Sequence, residues 1–85
     1  MHADKNQIVR LLNTARGQID GIIKMVQEDR YCLDVSNQIM ASQAILSRAN
    51  KEILKAHLFN CVLNAEGTTA EDKVKELNTL LEKLL

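Results

Sequence analysis

From residue 8 onward the apolar side chains recur at three- and four-residue intervals: Ile8, Leu11, Leu12, Ala15, Ile19, Ile22, Ile23 and Val26. That spacing gathers them on one side of a helix and predicts an amphipathic α-helix from about Asp4 to Glu28. Asp4, with its short carboxylate, suits the N-cap. Gly17 and Gly21 stand one turn apart inside the stretch. Each lowers helix stability, so the pair predicts a close approach by another helix. The pattern breaks at Glu28-Asp29-Arg30-Tyr31, which reads as a short connection. A second segment then runs from about Cys32 to Leu63 without proline or glycine. There Val35, Ile39, Leu46, Ala49, Ile53 and Ala56 follow near-heptad spacing, and Ala44, Ile45 and Leu54 widen the stripe. A helix of that length is expected to have partners on more than one side. Asn64 to Thr69 carries a loop signal, with Gly67 as a C-terminal stop and Thr69 as an N-cap. A third helix, Ala70 to Leu85, places Val74, Leu77, Leu80, Leu81 and Leu84 on one face. The expected class is all-α: helix, short turn, long helix, turn, shorter helix, with no internal repeat.

Length changes the picture. A chain of 85 residues is one domain, 1–85, and buries only about 60–65% of the surface its unfolded form exposes. Its only aromatic residues are Tyr31 and Phe59, too few to anchor a compact core. A bundle completed by further copies of the same chain is the natural solution. Eleven basic and eleven acidic residues cancel, so composition gives no support to nucleic-acid binding. It does not exclude it, because a basic face can coexist with an acidic one. The opening residues do not resemble a signal peptide, and no stretch approaches the roughly 20 apolar residues of a membrane span. A soluble cytoplasmic protein is expected, with both cysteines as reduced thiols. No Ser-His-Asp grouping, paired carboxylates or phosphate-cradling glycine loop can be read, so an enzyme is not expected.

Candidate chemistry gathers at three residues. His57 and Cys61 are four apart in a strong helical pattern, so they project from one face one turn apart, a spacing that suits two donors to one metal ion. The plainer readings are a cysteine serving as a small buried hydrophobe and a histidine lying on the surface. Cys32 bears on that choice through geometry. On one continuous helix it lies 29 residues from Cys61, about 44 Å at 1.5 Å per residue, too far to share a site within one chain. Two copies packed antiparallel would bring Cys32 of one beside His57 and Cys61 of the other, and the two-fold axis would make two such sites. Two thiolates and one imidazole form a soft three-coordinate set that favours Cu(I), whereas Zn(II) would want a fourth ligand.

Several ordered motifs run along the chain. They are Arg16-Gly17-Gln18-Ile19-Asp20-Gly21-Ile22; Met25-Val26-Gln27-Glu28-Asp29-Arg30-Tyr31-Cys32-Leu33-Asp34-Val35; Asn37-Gln38-Ile39; and His57-Leu58-Phe59-Asn60-Cys61-Val62. Together, over about residues 5–64, they resemble the copper-sensing (CsoR-type) family of small helical repressors. The resemblance implies three helices per chain, an antiparallel helical dimer, and a tetramer built as a dimer of dimers. It also implies one Cu(I) per protomer, bound by a Cys of one subunit with a His and a Cys of its partner. Those ligands match Cys32, His57 and Cys61 residue by residue. Tyr31 matches a position behind the metal ligands, with a packed helix-start aromatic as the alternative. In the family, metal binding releases operator DNA and derepresses copper-export genes.

The family has no helix-turn-helix, and the resemblance implies a basic DNA surface on the first two helices. Lys5, Arg10, Arg16, Arg48, Lys51 and Lys55 are the candidates; Arg48 matches a family DNA-contacting position best and Lys51 next. Contacts to phosphates would weaken steeply with salt. For each of the six, the alternative is a merely solvated charge. The chain departs from the family where a basic run normally precedes the Gly-Gln pair: it has Leu11, Leu12, Asn13, Thr14 and Ala15. Leu11 and Asp20 both stand at positions usually basic. These changes bear on DNA affinity or operator sequence and leave the metal trio untouched.

Relatives on the same scaffold answer other signals. Persulfide sensors keep both cysteines but replace the imidazole, so His57 argues for metal, although Cys32 and Cys61 could still form sulfur links. Nickel and cobalt sensors recruit an amino-terminal His, for which His2 is a candidate about two residues nearer Cys32 than the family spacing. Formaldehyde sensors lack the second Cys and need an early Pro, absent here. A copper-buffering helical protein with no DNA role is the alternative from another class. Operator binding by the metal-free protein would separate the two.

Overall fold

The computed structural model describes the backbone of residues 1–63 and 70–84; the side chains of 61–63, 70, 71, 73 and 84 lie outside that description. Three helices are present: α1 (Lys5–Gln27), α2 (Cys32–Leu63) and α3 (Ala70–Leu84). The expected ends agree with these to within one residue. The loop signals at Gly67 and Thr69 lie outside the described residues.

Asp4 caps α1. Its backbone is extended, at φ −65° and ψ 106°. One carboxylate oxygen accepts from the N–H groups of Asn6 (3.0 Å) and Gln7 (3.3 Å). Its carbonyl accepts the first helical bond, from Ile8 N–H at 3.1 Å. Two otherwise unpartnered amides of the first turn are thereby satisfied.

At the other end of α1, Asp29 N–H donates to Val26 C=O (3.1 Å) and Arg30 N–H to Met25 C=O (3.0 Å). This is the paired 5→2 and 6→1 closure of a Schellman turn. The turn requires a left-handed residue, and Asp29 supplies it at φ 53°. Aspartate tolerates that region better than most side chains, yet glycine does so without steric cost. Asp29→Gly is expected to raise stability by about 0.5–1 kcal/mol, read as a higher urea midpoint at unchanged slope. A lower midpoint would show that the Asp29 carboxylate holds the turn by some other contact.

The chain re-enters a helix at once: Val35 N–H donates to Tyr31 C=O at 3.1 Å, which makes Tyr31 the first capping residue of α2. So short a connection forces α1 and α2 antiparallel. Gln18 therefore meets Ser42 midway along the pair, and the residues around Asp4 lie beside Ala56 and Asn60. Among the described residues α3 packs on α2 and not on α1, so α2 has two helical partners, as its length suggests.

The core is sparse. Among the described residues Ile8, Ala15, Ala49 and Leu80 are the buried apolar side chains, and Ser42 is buried with them. The α1 stripe read from the sequence spans roughly 120° of the helix circumference, more than one neighbouring helix covers. Ile8 and Ala15 are buried and Leu11 and Ile22 half-buried, while Leu12, Ile19, Ile23 and Val26 stay exposed. The same split leaves Ile39 and Leu46 open on α2 and Val74 and Leu81 open on α3.

The glycine pair departs from expectation. A Cβ added at Gly17 or Gly21 would meet no atom within 4 Å. Both face away from α2, so the expected close helix approach is not made within the protomer.

The three helices form a layer of 56 × 25 × 12 Å. The last dimension is about one helix diameter with side chains, so both faces of the layer are open. The radius of gyration is 17.4 Å, against about 12 Å for a compact chain of this length. The accessible surface is 6549 Å², against about 5,100 Å² for a folded monomer of this mass. Among the described residues no helix is long and apolar enough to cross a membrane.

Candidate metal centre and nucleic-acid face

Cys32 is the first residue of α2, with an exposed, free thiol. His57 and Cys61 lie near the far end of the same helix, about 38 and 44 Å further along its axis. The side chain of Cys61 lies outside the described residues. Helix rotation of about 100° per residue nonetheless places positions 32, 57 and 61 on one flank of α2. Within the protomer that flank does not bring them together. Among the described residues no three of His, Cys, Asp and Glu gather as a metal-holding group.

His57 is fixed from α3. Its Nε2 lies 2.5 Å from Glu76 Oε1, with both side chains about half exposed. With Nε2 carrying the proton toward the carboxylate, Nδ1 is left as the donor atom of the ring. A histidine ligand steadied through its second nitrogen by a carboxylate is the usual arrangement at protein metal sites, so the donor chemistry fits a metal. Glu76 is absent from the candidates read in the sequence. Nothing in a one-dimensional pattern tells which residue of α3 reaches back 19 positions to α2.

His2 is brought to the same place. Its ring centroid lies 6.3 Å from that of His57, at an interplanar angle of 39°. Tyr31, beside Cys32, is 63% exposed. Its backbone starts α2, but its ring does not pack as a helix-start aromatic within the protomer.

The six basic candidates do not form one patch. Arg48, Lys51 and Lys55, spaced three and four apart, line a shallow groove on α2 with Ala44, Ser47 and Glu52. Lys55 is only loosely paired with Glu52, at 3.9 Å. All three basic side chains are exposed, as are Lys5, Arg10 and Arg16 on α1. Helical rotation sets Lys5 and Arg16 on the flank of α1 that carries Leu12, Ile19 and Ile23, and Arg10 on the other flank with Thr14, Gly17 and Gly21. Because the two helices are antiparallel and both right-handed, Arg10 shares a face of the layer with Arg48 and Lys55. Positions 32, 57 and 61 belong to the opposite face. Leu11 is half-buried toward α2, so this position serves packing where a basic residue was expected. Asp20 is exposed.

Residues 4–83 match the metal-sensitive transcriptional repressor family. The copper-sensing transcriptional repressor CsoR of Mycobacterium ulcerans is 43% identical over 74 residues, covering 82% of this chain and 63% of that protein. CsoR of Bacillus subtilis is 36% identical over 81 residues, covering 94% of this chain and 80% of its own length. The chain thus spans a little under two thirds of the mycobacterial CsoR proteins it matches. Among solved structures, the nickel-responsive transcriptional regulator InrS superposes with a TM-score of 0.82 at 32% identity, covering 100% of this chain and 97% of that one.

Proposed function

We propose that this chain, which belongs to the metal-sensitive transcriptional repressor family, is a Cu(I)-responsive repressor that holds operator DNA when metal-free and leaves it when copper binds, derepressing copper-export genes. The observation that carries the reading is the separation of Cys32 from His57 along a single helix. Donors about 38 Å apart on one rigid rod complete a site only with a second, antiparallel copy. The open apolar residues Leu12, Ile19, Ile23, Ile39 and Leu46 lie toward the same face as these donors and give a partner something to cover. Residues 1–85 then act as one cytoplasmic metal-sensing and DNA-binding domain, working as a homodimer within a homotetramer.

Cys32 from one protomer, with His57 and Cys61 from its partner, would hold one Cu(I) per protomer. Two thiolates and an imidazole suit this soft ion. When bound, the metal supplies a link between the ends of two α2 helices. Glu76 keeps the His57 ring oriented for that link, and Tyr31 stands next to Cys32 behind it. On the opposite face Arg48, Lys51, Lys55 and Arg10 would meet phosphates; Lys5 and Arg16 stand on the donor-side flank of α1, outside this basic face. Release of DNA follows only to the extent that copper and DNA favour different shapes of the assembly.

One observation favours a second reading. His2 beside His57 offers a further nitrogen donor, which would suit Ni(II) better than Cu(I).

Anisotropy of a labelled duplex from the DNA upstream of the protein's own gene tests both. The reduced, metal-free protein is expected to bind, and one equivalent of Cu(I) per protomer to release it, with Ni(II) ineffective. Arg48→Ala should lower the salt slope of binding by about one. Metal-free protein that ignores DNA would leave a copper buffer, and release by Ni(II) alone would make it a nickel sensor.

A further inference from the structure

The buried apolar side chains of α1 and α2 are small or aliphatic: Ile8 and Ala15 on α1 and Ala49 on α2. Such contacts are non-directional, so away from the turn at residues 28–31 they would let one helix shift along the other and still bury similar groups. One pair in the seam is different. Ser42, only 5% exposed, donates from its Oγ to Gln18 Oε1 at 2.9 Å, across 24 residues of chain. Ser42 is the buried polar residue of the described core, and no buried side-chain N or O among the described residues lacks a partner. A buried hydrogen bond between facing helices adds little net stability, but it exists in one register only. Sliding by a turn would leave the Ser42 hydroxyl without an acceptor in an apolar seam.

Position along the helices gives this register a use. Gln18 is eight residues from Arg10, and Ser42 is six from Arg48 and nine from Lys51. A one-turn slip moves the basic residues of α1 by about 5.4 Å against those of α2. Phosphates along a DNA strand repeat at about 3.4 Å of helix axis, so such a slip breaks simultaneous engagement of both helices. We propose that Ser42 and Gln18 are a positioning pair, a register pin that holds the basic residues of α1 and α2 in the relative placement DNA requires, while touching neither DNA nor metal. The DNA consequence rests on the repressor reading; the pin itself does not.

Two nitroxide labels, one at Asn6 on α1 and one at Asn37 on α2, both exposed, report the register by pulsed dipolar spectroscopy. Labelled chains are diluted into excess unlabelled protein so that distances within a protomer dominate. The parent should give one distance, and Ser42→Ala a second population displaced by several ångströms, on the order of one helical turn. Ser42→Thr, which keeps the hydroxyl, should restore the single distance. In parallel, Ser42→Ala should bind DNA roughly tenfold more weakly with a salt slope shallower by about one or more, and take up Cu(I) as the parent does. A single undisplaced distance in Ser42→Ala overturns the pin whatever happens to DNA. A displaced distance with unchanged DNA binding and slope overturns its positioning role. If the parent itself does not bind DNA, the repressor reading fails, and the distances alone then decide the pin.

Discussion

Cys32→Ala is expected to retain no copper against a competing chelator, and Cys61→Ala likewise. Either change leaves one thiolate and one imidazole, too weak a set to hold Cu(I) against competition. The sharper result comes from mixing the two. In an antiparallel dimer each site takes Cys32 from one chain and Cys61 from the other, so a mixed dimer has one site with both cysteines missing and one intact. After unfolding and refolding an equimolar mixture, half of the dimers are mixed. Copper retention should return to about one quarter of the parent's value per chain. An intramolecular site would recover nothing on mixing, and that result would remove the intersubunit centre along with the copper sensor built on it.

His57→Ala is expected to separate holding copper from responding to it. Two thiolates still bind Cu(I), so the variant should keep one copper per protomer with a modest loss in chelator competition. What it loses is the tie from the metal through the ring to Glu76 and so to α3. Coupling between two sites commonly amounts to about 5–150-fold in affinity. The copper-loaded variant should therefore hold DNA tens of times more tightly than the copper-loaded parent. Glu76→Gln, which keeps the size and loses the charge, should move in the same direction by less. Equal copper-driven release by the His57 variant and the parent would mean that the cysteines alone carry the signal.

Much of the fold was legible because its determinants are local. Asp4 caps because a short acceptor precedes a periodic stretch; the break at 28–31 interrupts the period; and α2 runs uninterrupted because nothing between Cys32 and Leu63 stops a helix. Which apolar residues are covered was not legible. Periodicity marks the side of α1 that carries Leu12 and Ile19 without saying how wide a neighbour that side has. That Gly17 and Gly21 make no close approach within the protomer was hidden for the same reason: the cost of glycine is visible in sequence, and the direction it faces is not. The metal trio could be proposed because His57 and Cys61 share a helical spacing and Cys32 begins the same segment. Glu76 and the Ser42–Gln18 pair could not, since both depend on how separate helices are set against each other. Leu11 was legible as a departure from a family pattern, and only its place toward α2 shows that it serves packing.

A layer one helix thick, with most of its large apolar side chains in water, also bears on how much of this protein a cell must make. Such a chain has little to gain by folding alone, so folding and association are expected to merge into one event whose yield rises with abundance. On the proposed repressor reading, halving the number of copies would do more than halve the number of occupied operators, because fewer chains would find partners at all. Gene dosage and dilution at cell division would enter the response alongside copper itself, and the threshold for derepression would be set partly by mass action among the copies.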